Sequence, residues 1–269
     1  MAGALAAAAT PAFAASPPLA VIGRPRQGGY LIGQTSPRAT ISLDGVEVAK
    51  ASRAGRFFIG FDRDAPPTAV LTVSQNGETT EHHIAVSPGD FDIQRIDGLP
   101  NDQVAPQDPA LLARIGEEAK RKAVGFASLD DDDGFHHGFL PPLPSWRLSG
   151  RFGGQRILNG QPNRPHYGAD LAAPTGTPVH APAPGLVSFA ETGLHFEGGL
   201  ILIDHGQGVV SAYLHLSRAD VRAGEHVRPG QVIGAVGQEG RATGPHLCWR
   251  LKWRGRNLDP MLLLRNVPL

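Results

Sequence analysis

From residue 17 to residue 92, apolar and polar side chains alternate with the period of a half-buried strand. "ATISLDGVEVAK" is two such runs joined by Asp44-Gly45, a dipeptide suited to the type I′ turn of a two-residue hairpin. "AVLTVSQNGETTEHHIAV" repeats the pattern around Asn76-Gly77, and "RFFIGF" at 56–61 supplies a further strand. Turn signals recur about every ten residues, which predicts a small β-sandwich over 17–92, similar to bacterial Ig-like modules. His82 and His83 read as strand-surface residues.

The pattern changes over 93–143. Asp108-Pro109 reads as an N-cap with proline at the first helical position. Leu111, Leu112, Ile115 and Ala119 follow at helical spacing and Gly125 suits a C-cap, so one helix is expected near 109–124. The remainder reads as linker. Asp130–Asp133 are packed side by side, whereas the oxygen ligands of a calcium loop are spaced, so this run reads as solvated. His136 and His137 read as linker histidines. Over 144–269 the apolar runs are short and bounded by Gly and Pro. "GLILIDHGQGVVSAYLHLS" predicts two strands about a turn at Asp204–Gly208, and "EHVRPGQVIGAVG" another strand pair. The expected fold is mainly β: an N-terminal Ig-like β-sandwich, a linker with one helix, and a C-terminal antiparallel β domain.

Composition agrees. The chain has 34 glycines and 24 prolines in 269 residues, about a fifth where roughly an eighth is usual, so turns are frequent. With 25 basic and 25 acidic residues it carries no cationic footprint for nucleic acid or an anionic membrane. Residues 1–16, "MAGALAAAATPAFAAS", end in the A-x-A pattern Ala12-Phe13-Ala14 and read as the remnant of a secretory signal, although no Lys or Arg precedes the apolar run. No later stretch is long and apolar enough to span a bilayer. An exported chain, in the periplasm or cell envelope, is expected. Cys248 is the single cysteine, which excludes a disulfide within these residues.

Three stretches carry candidate chemistry. In "PHYGADLAAPTGTPV", His166 and Asp170 are four apart, and even separations on a strand share a face. "SAYLHLS" presents His215 at the end of an apolar strand, and "TGPHLCWRL" places His246 and Cys248 two apart. Together these are the groups a zinc hydrolase needs: three protein ligands, an open position, and acid–base groups beside it.

The landmarks "SGRFGGQR", "HYGADLAAPTGTPVHAPAPGLV", "IDHGQG", "YLHLS", "GEHVRPGQVIGAVG" and "ATGPHLCWR" follow one another between Ser149 and Leu264. This stretch resembles the lysostaphin/LytM-type zinc metalloendopeptidases, of duplicated-hybrid-motif fold, which cleave peptide cross-links of bacterial cell walls. The resemblance implies Zn2+ bound by His166 and Asp170, catalytic roles for His215 and His246, and peptidoglycan cross-links or stem peptides as substrate. The family's third zinc ligand, a histidine, falls on Cys248. Thiolate is a sound zinc ligand, but it takes the charge of the centre from +1 to 0, which implies a weaker hydrolase or one active at higher pH. Tyr213, two before His215 and so able to share its strand face, and Arg164, close in sequence, are candidates for substrate contact, with packing the alternative for Tyr213. The alternative is a degenerate domain that binds cell wall or another wall enzyme without hydrolysis. His180, which should face away from the site, and His195, His205 and His226 read as structural.

Overall fold

The computed structural model describes residues 17–265; the signal reading of residues 1–16 lies outside them. Over 17–92 the chain forms two antiparallel sheets. One has three strands, Ala20–Arg24, Tyr30–Gln34 and Arg56–Gly60. The other has four, in the order Val46–Lys50, Thr40–Leu43, Thr68–Gln75, Glu78–Ala85. Both hairpins turn through left-handed pairs: Asp44 and Gly45 at φ 52° and 78°, Asn76 and Gly77 at φ 52° and 85°. A type I′ turn requires that sign at both central residues.

The sandwich shares its core with the C-terminal domain. Phe58 stacks on Tyr30 at 5.6 Å, meets Phe135 edge-on at 5.5 Å, and lies 6.1 Å from Trp253. Gly60 leaves no room for a side chain, since a Cβ there would stand 2.8 Å from Leu258 Cδ1. One hydrophobic cluster therefore runs from Leu31 to Leu263.

The C-terminal domain is built on one large sheet with a seven-strand path. Its order is His226–Val227, Gly185–Leu194, Gly198–Asp204, Val209–Ala219, His246–Trp253, Ala169–Ala172, Arg147–Gly150, with antiparallel neighbours throughout. The "EHVRPGQVIGAVG" stretch does form two strands, but they do not pair with each other. His226–Val227 edges Gly185–Leu194, while Val232–Val236 pairs with Pro178–His180 and Val209–Ala219; each completes a longer neighbour. Along His246–Trp253, Leu247, Trp249, Leu251 and Trp253 enter the core shared with the sandwich. Strand alternation puts His246, Cys248, Arg250 and Lys252 on the opposite face.

The segment between the domains is more structured than its composition suggests. Ile93–Ile96 is a strand, parallel to Gln155–Leu158, and Asn101–Val104 is one helical turn. The main helix spans Pro109–Phe126, with Asp108 accepting from Ala110 N as N-cap. Gly125 does not cap it; the cap is Ala127. A Cβ on Gly125 would stand 2.8 Å from Phe189 Cβ, so glycine there allows close packing on the sheet. The apolar stripe also holds only in part. Leu112 and Ala119 are exposed, and the docked face instead includes Glu118 and Lys122. Glu118 accepts from Arg114 and from His195 N, and Lys122 pairs with Glu197 at 2.7 Å, so paired charges replace apolar contact. The acidic run is not solvated spacer: Asp131 pairs with Arg38 at 2.9 Å, and Asp133 accepts from Ser52 Oγ at 3.0 Å and pairs with Arg56. It latches the segment to the sandwich.

Candidate metal centre

His166 lies just ahead of the Ala169–Ala172 strand rather than within it. Backbone bonds to Gly153 and Gly154, each 2.7 Å, hold it in place, and it is fully buried. Asp170 and Cys248 stand directly opposite in the register of adjacent strands, which puts their side chains side by side on the outer face. Gly168 permits this approach, since a Cβ there would meet Trp249 O at 2.8 Å.

His215 reaches the same face by a different route. Gly199 and Leu200 pair with Leu216 and Leu214, so His215 is the extra residue of a bulge, and its φ is +65°. A bulge interrupts strand alternation and re-aims the side chain. This overturns the reading of Tyr213 as a substrate contact. Tyr213 does not share the face of His215; it is fully buried in the core, bonded to Ser211 Oγ at 2.8 Å. Ser211 in turn bonds His205, whose Nδ1 donates to Pro184 O, so this chain of polar groups is structural. Arg164 is exposed and stands away from the centre, on the wall of a groove shared with Arg250.

The three site histidines have a common arrangement. Nδ1 of His166 faces Arg151 O at 3.2 Å, Nδ1 of His215 faces Glu239 O at 2.8 Å, and Nδ1 of His246 faces Gly244 O at 2.8 Å. A carbonyl accepts only, so each Nδ1 carries a proton, and in its neutral form each ring keeps its lone pair on Nε2. His166 Nε2 lies 3.4 Å from Cys248 Sγ and 3.1 Å from Asp170 Oδ1; His246 Nε2 lies 3.6 Å from the same oxygen. The rings of His215 and His246 are 4.7 Å apart.

These residues fit a metal ion. One ligand atom from each of His166, Asp170 and Cys248 lies within 4.8 Å of the others. With His166 neutral, buried Asp170 Oδ1 has no hydrogen-bond donor, a state that costs free energy unless a cation satisfies it. Imidazole, carboxylate and thiolate make a zinc donor set, and carbonyls behind the imidazoles are the usual support for metal-bound histidine.

Two half-buried cations, both missed in the sequence, flank the donors. Arg156 Nη2 is 3.2 Å from Asp170 Oδ2, and Arg250 Nε donates to Cys248 Sγ at 3.4 Å. Arg250 was within reach of strand alternation, two residues after Cys248; Arg156 is delivered by a separate strand and had no local signal. Burial alone would raise the Asp170 carboxyl, but His166 in its protonated form and the Arg156 guanidinium hold it well below the usual range. Burial, reinforced by Arg250 and Arg156, depresses His215 to about 4. Burial also lowers His246, with Asp170 opposing. Both rings are therefore neutral at pH 7.

The centre is covered on one side. Ile96 and Leu99 enclose a space of about 50 Å³ with Asp170, His215 and His246. Asn159 clamps Leu99 through two bonds, Nδ2 to its O at 2.7 Å and Oδ1 from its N at 3.1 Å. Arg241 bonds Gln103 O at 3.1 Å. A cleft of about 540 Å³ reaches Asp170 and His246 from the side of Gln94, Ser149 and Arg151.

Residues 164–260 match the model of peptidase family M23. The peptidoglycan DD-endopeptidase ShyA of Vibrio cholerae is 40% identical over 132 residues, 48% of this chain and 30% of that protein. The DD-carboxypeptidase/endopeptidase Mpg of Neisseria meningitidis is 38% identical over 140 residues, 52% of this chain and 31% of that protein. The chain thus spans about a third of the length of these curated relatives. A crystal structure of a putative peptidase M23 from Pseudomonas aeruginosa superposes with a TM-score of 0.67 at 28% identity, covering 89% of this chain and 95% of that one. That structural match includes the sandwich as well as the site. The stretch that holds His166, Asp170 and Cys248 is thus similar to the peptidases of family M23.

Proposed function

We propose that this protein is a zinc-dependent endopeptidase of the cell envelope that hydrolyses peptide cross-links or stem peptides of peptidoglycan, with Cys248 as the third protein ligand. The observation that supports it most is the convergence of His166 Nε2, Asp170 Oδ1 and Cys248 Sγ beside two neutral histidines. The relatives named for peptidoglycan endopeptidase activity support the substrate class.

His166, Asp170 and Cys248 would hold zinc, which when bound acidifies water and polarises a carbonyl. The chain's own residues do the rest. His215 and His246, neutral with free Nε2 atoms, are suited to accept a proton from the attacking water and pass one to the leaving amine. Their carbonyl-bound Nδ1 atoms fix the ring orientation for that transfer. Arg250 beside the sulfur and Arg156 beside Asp170 return positive charge to a centre that the thiolate makes more anionic. They counter the loss of Lewis acidity expected from cysteine alone.

A second reading, wall binding without hydrolysis, draws on the Arg156–Asp170 contact and the Leu99 cover. Two measurements separate them. Metal analysis should find near-stoichiometric zinc in the purified protein and a loss of at least about tenfold in affinity for Cys248→Ser. Digestion of isolated peptidoglycan, followed by mass analysis, should release cleaved peptides with the parent and none with His246→Ala. Equal zinc in both proteins would remove the thiolate ligand; no products from the parent would favour the binding reading.

A further inference from the structure

A second concavity, sharing no lining residue with the 540 Å³ cleft, adjoins the centre. It is a groove of about 730 Å³ between the Pro109–Phe126 helix and the outer face of the His246–Trp253 strand. Its inner end touches the centre: Arg250 donates to Cys248 Sγ, and Glu197 O accepts from His215 N.

Its two walls differ in chemistry. One is apolar, formed by Phe126, Leu129 and alanines of the helix, with Leu129 58% exposed. The other carries Arg164, Arg250, Lys252 and Arg254. The one carboxylate in the lining, Glu197, is already paired with Lys122 at 2.7 Å. Among the described residues, Arg164, Lys252 and Arg254 make no ion pair, and Lys252 Nζ rests 4.5 Å over the Phe126 ring. The whole chain has no net charge, so this local excess of cations is a feature of the groove. Cys248, Arg250 and Lys252 occupy alternate positions on one strand face. At about 3.4 Å per residue, the Cα atoms of Arg250 and Lys252 therefore follow that of Cys248 at roughly 7 and 14 Å, the repeat of successive same-side residues on an extended peptide, with the Arg250 guanidinium folded back onto the sulfur.

We infer that this groove binds the carboxylate-bearing peptide arm of peptidoglycan, with carboxylates against Arg164, Lys252 and Arg254 and methyl groups against the helix. An extended peptide of alternating acidic and small apolar groups presents those two edges to opposite walls. The inference rests on the proposed substrate class and adds which part of the substrate is held and by what.

The test is binding without turnover, on the full chain. The probe is a soluble, uncross-linked disaccharide-tripeptide with its carboxylates free or converted to amides, followed by calorimetry. The free acid should bind about tenfold tighter than the amide, and raising the salt should narrow the gap. Lys252→Gln and Arg254→Gln should each weaken the free acid by about three- to tenfold and leave the amide unchanged. Lys50→Gln, the same charge change on the sandwich, is the control. Equal affinity for acid and amide, or equal effects from Lys252→Gln and Lys50→Gln, would overturn the inference. Carboxylate-dependent binding by a protein that releases nothing from peptidoglycan would instead remove the hydrolase reading and leave the groove assignment standing.

Discussion

A histidine with left-handed backbone conformation costs about 1 kcal/mol or more relative to an ordinary strand position. At His215 that cost accompanies the bulge that brings the ring to within 4.7 Å of His246. His205, also deeply buried, has a different consequence. Burial depresses it to about 4 from 6.5 while its nitrogens engage Pro184 O and Ser211 Oγ. The folded protein thus keeps His205 neutral where an unfolded chain protonates it, and the unfolded state binds the extra proton between pH 6.5 and 4. The stability this histidine contributes is present above pH 6.5 and lost as pH falls toward 4, on the order of 3 kcal/mol. Urea unfolding at pH 7 and pH 4.5 should show a shallower decline for His205→Gln than for the parent.

Secondary elements set the accessibility of the centre. The strand Ile93–Ile96 and the turn after it are held over the site largely by pairing with Gln155–Leu158 and by the Asn159 clamp on Leu99. Asn159 has φ +48°, so glycine replaces it without backbone strain while removing both bonds. Losing two hydrogen bonds of about 1 kcal/mol each should raise the open population by about tenfold or more. Asn159→Gly should therefore speed alkylation of Cys248 in metal-free protein by a similar factor, measured by mass spectrometry. An unchanged rate would show that the thiol is reached from the 540 Å³ cleft instead.

The sandwich, the intervening segment and the C-terminal domain share one packed core. Phe58 of the sandwich, Phe135 of the intervening segment and Trp253 of the peptidase domain pack on one another, and Asp131 and Asp133 tie the segment to the sandwich. Phe58→Ala should cost about 3–5 kcal/mol. It should lower a single thermal transition seen alike by tryptophan fluorescence and by circular dichroism. Two separated transitions would show that the sandwich unfolds alone.

Local chemistry made much of this legible from the residues. The Asp44-Gly45 and Asn76-Gly77 turns need left-handed φ at both positions, and few other dipeptides supply it. The Asp108-Pro109 start of the helix rests on one carboxylate and one fixed φ. The series of landmarks from Ser149 to Leu264 carried the resemblance to family M23. What depended on distant strands was not legible. Alternation assigned Tyr213 to the face of His215, and a bulge set by the opposing Gly199–Leu200 pairing reversed it. The acidic run acquired partners only when the sandwich brought Arg38 and Arg56 to it. Arg156 meets Asp170, and Leu99 closes over the histidines, through pairing between segments some sixty residues apart. Turn and cap preferences are energies of neighbouring atoms and can be read along the chain, whereas register, coverage and charge pairing are energies of contacts that exist only once the sheets have formed.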